Sequence, residues 1–350
     1  MSAETKLLYQ ASEFPVFQNR MYDTKAEAQS CPRGQITIVE DLTTGLVSNA
    51  SFDPDLLVYD AAYQNEQANS APFRTHLDWV ADLIFQSMET ASLIEVGCGK
   101  GTFLDILSDR GAKITGFDPT YEGDDPRIEK ALFGPELGMN AKGLILRHVL
   151  EHIQDPVDFL MQLAEANGGQ GLIYIEVPCF DWICDNRAWF DIFYEHVNYF
   201  RLSDFDRIFG RVVASGNCFG GQYLYVVGDL STLRQPTYDA DSSVDFPADF
   251  TASLSSSSAT NRDVVWGGAS KGLIYSMLRQ RSGHPVAAVV DINPAKQTKY
   301  LAGTGLQVQA PDELLPTLPK DTRILVMNPN YTKEIKAMSD NVFTYVEVGA

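Results

Sequence analysis

The sequence predicts an α/β protein that contains two parallel-sheet units. In the first unit the apolar run Leu93–Val96 leads into a glycine turn at 97–101, and an amphipathic helix follows at once. In the second unit Val264–Trp266 leads into another glycine turn and helix start. In each unit the next apolar run ends on an acid, Asp118 or Asp291. Strand, helix and strand in this order make one crossover of a parallel sheet, so both units have the same predicted architecture.

The first glycine turn has the chemistry of a nucleoside site. Gly97, Gly99 and Gly101 let the backbone pass close to a ligand, and the helix start offers unpaired N–H groups. Asp118 at the end of the next strand is suited to hold a ribose diol. A dinucleotide fingerprint would carry its third glycine where Thr102 stands. The dinucleotide fingerprint is thus incomplete. A dinucleotide enzyme is the main alternative to a site for another nucleoside ligand, and a purely structural glycine turn is the other.

The E-x-G-x-G-x-G pattern that runs from Glu95 to Gly101 resembles motif I of the class I S-adenosylmethionine methyltransferases. The resemblance implies a Rossmann-like core and S-adenosyl-L-methionine as cofactor. It places Glu95, the three glycines and Asp118 in the cofactor site. A tyrosine segment that closes over the cofactor in this family is matched best by Tyr63.

The stretch R-H-V-L-E-H-I, which begins at Arg147, is also typical of this superfamily after its fourth strand. Because ligands of open α/β sheets bind at the carboxyl ends of strands, we expect Arg147 at the cofactor and His148 near the reacting methyl group. His152 is either a second site residue or a helix-cap histidine. His76, in an earlier amphipathic stretch, is expected on a helix surface.

Composition limits the classes of partner. The chain has 350 residues, 45% of them hydrophobic, and a net charge of −19, which argues against nucleic acid because phosphate binding needs a basic surface. No apolar stretch is long enough for a membrane span, and the first residues lack a signal-peptide pattern, so a cytoplasmic enzyme is expected. The five cysteines include no C-x-x-C pair, so neither a disulfide framework nor a zinc site is predicted. The oligomeric state is left open.

The N-terminal region resembles the small zinc module of some bacterial sugar-modifying methyltransferases. Gly45, Leu46, Val47 and Asn49 match its G-L-V-x-N segment. Asp41 and Thr44 stand where that module has cysteines. We therefore expect a retained module without metal. An unrelated extension is the alternative.

An aromatic insertion at 181–206 follows the predicted fifth strand at 171–178, and we expect it to form a substrate wall. Its F-D-x-x-Y-E-H-x-x-Y-F pattern resembles nucleotide-sugar 3-C-methyltransferases, which implies His196 as catalytic base with Glu195 and Tyr194 beside it, and Tyr199 at the substrate. Members of that family often have the pattern Y-H-E-H. This chain departs from it, because the residues that end on His196 read F-Y-E-H. A structural histidine beneath the aromatic residues is the alternative.

The last ninety residues resemble the C-terminal domain of the same family through G-G-A-S-K-G, V-D-I-N-P-A-K-Q and V-M-N-P-N-Y. The resemblance implies a Rossmann-like substrate domain, with Lys271, Ser270 and Asn328 in the pocket and Lys271 facing an anionic group. Dinucleotide binding through Gly267, Ala269 and Gly272 is the alternative.

These observations predict four regions: a degenerate zinc-module-like region (1–70), a methyltransferase core (71–228), a linker (229–260) and a C-terminal Rossmann-like substrate domain (261–350). The expected activity is methyl transfer from S-adenosylmethionine to a small metabolite, most simply C-methylation of a keto-sugar nucleotide through an enolate. O- or N-methylation of another natural-product or polysaccharide precursor is the alternative reaction. A non-catalytic binding protein is the alternative class.

Overall fold

The computed structural model describes residues 4–57, 70–255 and 262–349. Its main elements form a four-stranded, a seven-stranded and a five-stranded sheet. The last two are the α/β units that the sequence predicts, and the first is formed largely by the N-terminal region.

The N-terminal sheet is antiparallel and has the order β1-β3-β4-β10. Its last strand comes from the aromatic insertion, more than a hundred residues later in the chain. The insertion therefore extends the N-terminal sheet as well as bordering the core. The elements of this region are β1 (Thr5–Pro15), β2 (Met21–Tyr22), α1 (Lys25–Gln29), β3 (Arg33–Asp41) and β4 (Val47–Asn49).

The central sheet has the order β11-β12-β9-β8-β5-β6-β7, with five parallel strands and a closing antiparallel pair. The predicted strands, the closing hairpin and the helix that starts at Pro156 are confirmed. Its elements are α2 (Ala71–Ser87), β5 (Leu93–Val96), α3 (Thr102–Asp109), β6 (Ile114–Phe117), β7 (Ile128–Glu129), β8 (Gly143–Arg147), α4 (Pro156–Ala166), β9 (Leu172–Pro178), α5 (Phe180–Asp185), β10 (Asn198–Tyr199), α6 (Leu202–Ile208), β11 (Val212–Cys218) and β12 (Tyr223–Asp229).

The C-terminal sheet is parallel and has the order β16-β14-β13-β17-β18. The order reverses at β13, which is where ligands of such sheets bind. Its elements are β13 (Val264–Trp266), α7 (Lys271–Arg281), β14 (Ala288–Val290), β15 (Tyr300–Leu301), β16 (Val308–Gln309), α8 (Pro311–Leu314), β17 (Arg323–Val326), α9 (Thr332–Met338) and β18 (Thr344–Glu347).

The N-terminal and C-terminal regions pack together. Strand β15 pairs with β2, and Phe14 shares a hydrophobic cluster with Leu273 of α7. Phe250, from the stretch expected to be a linker, is buried in the same cluster. Residues of the N-terminal region, the central unit and the C-terminal unit line one cavity. In the described ranges no helix is long and apolar enough to cross a bilayer.

Candidate active site

The glycine turn after β5 has the backbone geometry that its composition predicts. Gly97, Gly99 and Gly101 have φ values of 74°, 55° and 83°, where a side chain would be strained. A Cβ on Gly99 would meet no atom within 4 Å, so this face of the turn is open to a ligand. The Gly99 N–H donates to Asp118 Oδ2 at 2.8 Å, while Thr120 donates to Oδ1 from both its N–H and its hydroxyl. Oδ2 thus retains acceptor capacity for a ribose hydroxyl.

The C-terminal unit repeats this arrangement. The N–H of Gly268 donates to Asp291 Oδ2 at 2.7 Å, and the N–H of Asn293 donates to Oδ1 at 2.8 Å. In addition, Lys296 Nζ lies 3.5 Å from Asp291 Oδ2. The similarity of the two turns follows from their common strand–turn–helix–strand plan.

Glu95 and Arg147 lie on adjacent parallel strands beside the first turn. No donor within the described part of the chain reaches Glu95 Oε2, which is buried. Burial raises the pKa of Glu95 to about 8, against the opposing effect of Arg147. Arg147 donates to Glu176 and places its guanidinium over the Phe103 ring. A buried carboxyl group that no described donor reaches, beside an open glycine turn, fits a ligand with a cationic end, such as the methionine ammonium of S-adenosylmethionine, because the cation would favour the ionised form of Glu95.

A cavity of about 240 Å³ lies where the three regions meet. His148, from the end of β8, and His196, from the aromatic insertion, both line it, so two of the predicted catalytic residues come together. The N-terminal region and the C-terminal unit also contribute. Polar residues around the cavity include Gln18, Asn19, His148, Glu151, His152, Asp191, His196, Ser270, Lys271, Asp291, Asn293, Lys296, Asn328 and Glu334.

Glu176, at the end of β9, organises one wall of the site. Its fully buried carboxylate accepts hydrogen bonds from Tyr174, Arg147 and the Nε2 of His76. Burial would raise the pKa of Glu176, but Arg147, His148 and His76 hold it well below its usual range. The prediction that His76 lies on a helix surface is wrong. Helix α2 buries His76 against the sheet, where Glu176 compensates its polarity.

His148 lies between two buried carboxylates. Its Nε2 is 3.0 Å from Glu176 Oε1, and its Nδ1 is 3.5 Å from Glu151 Oε1. Burial alone would lower the pKa of His148, but these carboxylates outweigh it and raise the pKa to about 9. His148 also has a φ of 52°, in the left-handed region, which is unfavourable for a residue other than glycine. His148 is therefore held as an imidazolium near neutral pH.

His196 has the opposite electrostatic environment. Burial, followed by the neighbouring charges of His152, His148 and Lys271, lowers the pKa of His196 well below its usual value. The rings of His196 and His152 have centroids 5.1 Å apart, and His152 Nδ1 lies 2.8 Å from the backbone oxygen of Glu195. His196 is thus a neutral imidazole near neutral pH and has the protonation state of a base.

Glu195 lies beside this histidine, but its carboxylate also has a partner that the sequence does not indicate. Glu195 Oε2 accepts a 2.8 Å hydrogen bond from the backbone N–H of Gln18, in the N-terminal region. The Gln18 side-chain Nε2 lies 3.5 Å from His196 Nε2. Gln18 belongs to no recognisable sequence motif, so the local sequence pattern could not identify it as a site residue.

Tyr194 and Tyr199 do not have the positions expected of them. The Tyr194 hydroxyl bonds to the backbone of Asp53, and its ring fills the space above Gly34. The Tyr199 hydroxyl bonds to the backbone of Phe193. Neither tyrosine is among the residues that line the cavity, so the catalytic role of Tyr194 and the substrate contact of Tyr199 stay predictions without support from these contacts.

The expected aromatic wall is likewise largely a core. Phe193 lines the cavity, whereas Trp189 and Phe190 are buried in the hydrophobic cluster shared with the N-terminal sheet. Sequence pattern marks aromatic residues as a group but does not distinguish those that face a ligand from those that face a core.

Lys271, Ser270 and Asn328 line the cavity as expected, but each already has protein partners. Lys271 Nζ lies 2.8 Å from both Asp191 Oδ2 and Gln222 Oε1. The Ser270 hydroxyl donates to Asn19, and Asn328 Oδ1 accepts from Gln222. The charge of Lys271 is thus compensated rather than offered freely to an anion. Tyr63, the expected lid residue, lies outside the described residues.

Glu151, His152 and His196 each place a potential ligand atom within 4.8 Å of the others, which is a possible arrangement for a cation. The Glu151 carboxylate, however, already faces the cationic His148. The imidazolium of His148 would repel an added cation. We therefore interpret the three side chains as groups that accept and donate protons and not as metal ligands. The second such group, His76, Glu176 and Cys218, is buried, and its carboxylate is occupied by hydrogen-bond donors.

The region around the first glycine turn is similar to known methyltransferases. Residues 65–212 match the family model of a methyltransferase domain. The C-methyltransferase NovU of Streptomyces niveus is 25% identical over 174 residues, which are 45% of this chain and 41% of NovU. The chain thus spans less than half the length of this curated relative.

Solved structures that match part of this chain include the 1,6-didemethyltoxoflavin-N1-methyltransferase of Burkholderia thailandensis, bound to S-adenosylhomocysteine. It is 13% identical with a TM-score of 0.35, and the match covers 49% of this chain and 80% of that one. The N-methyltransferase NodS of Bradyrhizobium japonicum is 13% identical with a TM-score of 0.34, covering 46% and 98% of the two chains.

Proposed function

We propose that the chain, whose residues 65–212 match the family model of a methyltransferase domain, uses S-adenosylmethionine to methylate a carbon atom next to a ketone in a small metabolite. One observation carries this proposal: a single cavity holds two histidines with oppositely shifted pKa values, His196 lowered and His148 raised. Titratable groups whose environments separate their pKa values take opposite acid and base roles.

The reaction needs both roles. A carbon next to a ketone becomes nucleophilic only after it loses a proton, and neutral His196 is suited to accept that proton. The ketone oxygen gains negative charge in this step, which the imidazolium of His148 is suited to stabilise. S-adenosylmethionine supplies a methyl group on a positively charged sulfur, which leaves as a neutral thioether. The enolate carbon would bond to this methyl group as the carbon–sulfur bond breaks. The product would be the methylated ketone, and His196 would return its proton to solvent.

The cofactor residues follow from the first turn. Asp118 would hold the ribose hydroxyls, and Gly97, Gly99 and Gly101 would admit the ligand backbone. Glu95 would face the methionine ammonium, and Arg147 would fix the neighbouring strand end through Glu176. These assignments agree with the open face of Gly99 and the unpartnered Glu95 oxygen.

The acceptor that we favour is a keto-sugar nucleotide. The cavity lies between the methyltransferase sheet and the second α/β unit, so a two-part ligand can place its ketone at the histidines and its remainder at Lys271 and Asn328. The name of the relative NovU, a C-methyltransferase, agrees with reaction at carbon.

A second candidate is O- or N-methylation of a less anionic natural-product or polysaccharide precursor. The observation in its favour is that both cavity lysines are paired with carboxylates, Lys271 with Asp191 and Lys296 with Asp291. A diphosphate would have to compete for these lysines.

Transfer of a ¹³C-labelled methyl group tests both candidates. The protein is incubated with S-[methyl-¹³C]adenosylmethionine and either a nucleoside diphosphate-linked 4-ketohexose or neutral hydroxyl and amine acceptors. Carbon-, oxygen- and nitrogen-bound methyl groups have distinct ¹³C resonances. A carbon-bound methyl on the ketohexose supports the proposal, whereas label only on oxygen or nitrogen favours the second candidate.

A further inference from the structure

We propose that Gln18, from the N-terminal region, positions His196 and accepts a hydrogen bond from a hydroxyl group of the substrate. This inference rests on the proposed function, because it assigns Gln18 to the centre where the substrate loses its proton. It would make the N-terminal region a direct part of the active site.

The backbone of Gln18 is held on both sides. Its N–H donates to Glu195 Oε2 at 2.8 Å, and its carbonyl accepts from the N–H of Ser270 at 2.9 Å. The segment therefore connects the aromatic insertion to the start of α7. Ser270 has a φ of 42°, so this contact supports an unfavourable backbone conformation at the cavity. Because both backbone groups are bonded, the backbone of Gln18 is held in place at the cavity.

The amide end of Gln18 has one contact and one free acceptor. Nε2 lies 3.5 Å from His196 Nε2, at the long limit of a hydrogen bond. A donor at this position favours the tautomer with an unprotonated Nε2, which is the form that can accept a proton. Because the contact is long, it can yield to the substrate at little energetic cost.

Gln18 Oε1 is buried, and no donor in 4–57, 70–255 or 262–349 reaches it. The whole residue is only 6% exposed and lines the cavity. A buried amide oxygen without a donor costs free energy, which a ligand hydroxyl can recover on binding. A sugar carries hydroxyl groups next to its ketone, so the acceptor lies where such a ligand would need one.

The charged surroundings of His196 make the inference measurable. The titratable and charged groups that face it are His152, His148, Lys271, Glu151 and Glu195. A carboxylate in place of the Gln18 amide would add a negative charge next to the ring and favour its protonated form.

Three variants test the inference. Gln18→Leu removes the amide, Gln18→Glu keeps its shape and adds a charge, and Gln29→Leu is the matched control. Gln29 lies in the same region and donates from its side chain to the backbone of Thr304, but it does not line the cavity. The measurements are kcat and KM for the nucleoside diphosphate-linked 4-ketohexose, and NMR titration of the His196 ring, which needs no turnover.

We expect Gln18→Leu to lower kcat and raise KM, each roughly tenfold, because it removes one contact to His196 and one hydrogen bond to the substrate, and about 1.4 kcal/mol for each corresponds to a factor of ten. Gln18→Glu should shift the His196 titration and the acidic limb of activity to higher pH, while Gln29→Leu changes neither. If both Gln18 variants fold and match Gln29→Leu in kinetics and titration, the inference is wrong. A shifted titration without any methyl transfer would retain the positioning of His196 and reject the proposed function.

Discussion

Nε2 of His148 lies 3.0 Å from Oε1 of Glu176, which has no solvent exposure. This ion pair joins the cavity to a buried group of hydrogen-bond donors on the central sheet. It also keeps one of the two cavity histidines cationic while the other remains neutral. The pH dependence of activity follows from this difference.

We predict a bell-shaped dependence of kcat on pH. His196, with its lowered pKa, loses activity only when it becomes protonated in acid, below its ordinary value near 6.5. His148, with its pKa raised to about 9, loses its stabilising charge as pH rises through that value. His148→Gln should lower kcat and remove the alkaline limb. His284→Gln, a substitution outside the cavity, should retain both limbs; an unchanged alkaline limb in His148→Gln would assign it to another group.

Glu176 is predicted to be important for stability. Glu176→Gln leaves the buried charges of Arg147 and His148 without their carboxylate, and breaking a buried pair typically costs about 3–5 kcal/mol. Chemical denaturation should show this loss in the free energy of unfolding. Asp78→Asn is the control, because it breaks an exposed pair with Arg110 that is worth at most about 1 kcal/mol. Equal effects of the two substitutions would contradict the proposed importance of the buried group.

The cofactor assignment depends on Asp118. A charge-assisted hydrogen bond is worth about 1.5–3 kcal/mol, so Asp118→Ala should weaken S-adenosylmethionine binding roughly ten- to a hundredfold in calorimetry. Asp291→Ala offers a close control, since Asp291 has the same contact with a glycine N–H in the C-terminal unit. We expect this control to leave cofactor affinity unchanged. The reverse result would move the cofactor to the second glycine turn.

The N-terminal region is predicted to hold no stoichiometric zinc. Asp41 replaces an expected thiolate, and its Oδ1 accepts the backbone N–H groups of Thr43 and Thr44, which closes the turn without a metal. Elemental analysis of dialysed protein measures this directly. One zinc per chain would show the prediction to be wrong, and loss of that zinc in His152→Ala would place it in the cavity.

The fold was largely predictable because its signals are local. The strand–turn–helix patterns at 93–109 and 264–281 depend on neighbouring residues, and Asp118 follows its strand directly. The site was less predictable because its partners are distant in sequence. His76 meets Glu176 only after the sheet forms, and the pattern of α2 does not show that its histidine is buried.

The aromatic insertion shows the same limit in another way. Tyr194 and His196 are neighbours in one motif, but one contacts the N-terminal region and the other lines the cavity. Gln18 belongs to no motif, and its contacts with Glu195 and His196 arise from the packing of the N-terminal region on the insertion. Such contacts depend on the tertiary structure and have no signal in local sequence.

The most direct test of the account is exchange of the substrate's α-proton with deuterated water. A nucleoside diphosphate-linked 4-ketohexose is incubated with the protein in D₂O without a methyl donor, and loss of the α-proton signal is followed by ¹H NMR. If His196 is the base, the parent protein should catalyse exchange. His196→Ala should slow exchange by about 10²–10⁴-fold and retain S-adenosylmethionine affinity. Normal exchange by His196→Ala, or no exchange by a parent protein that methylates oxygen or nitrogen, would contradict the account.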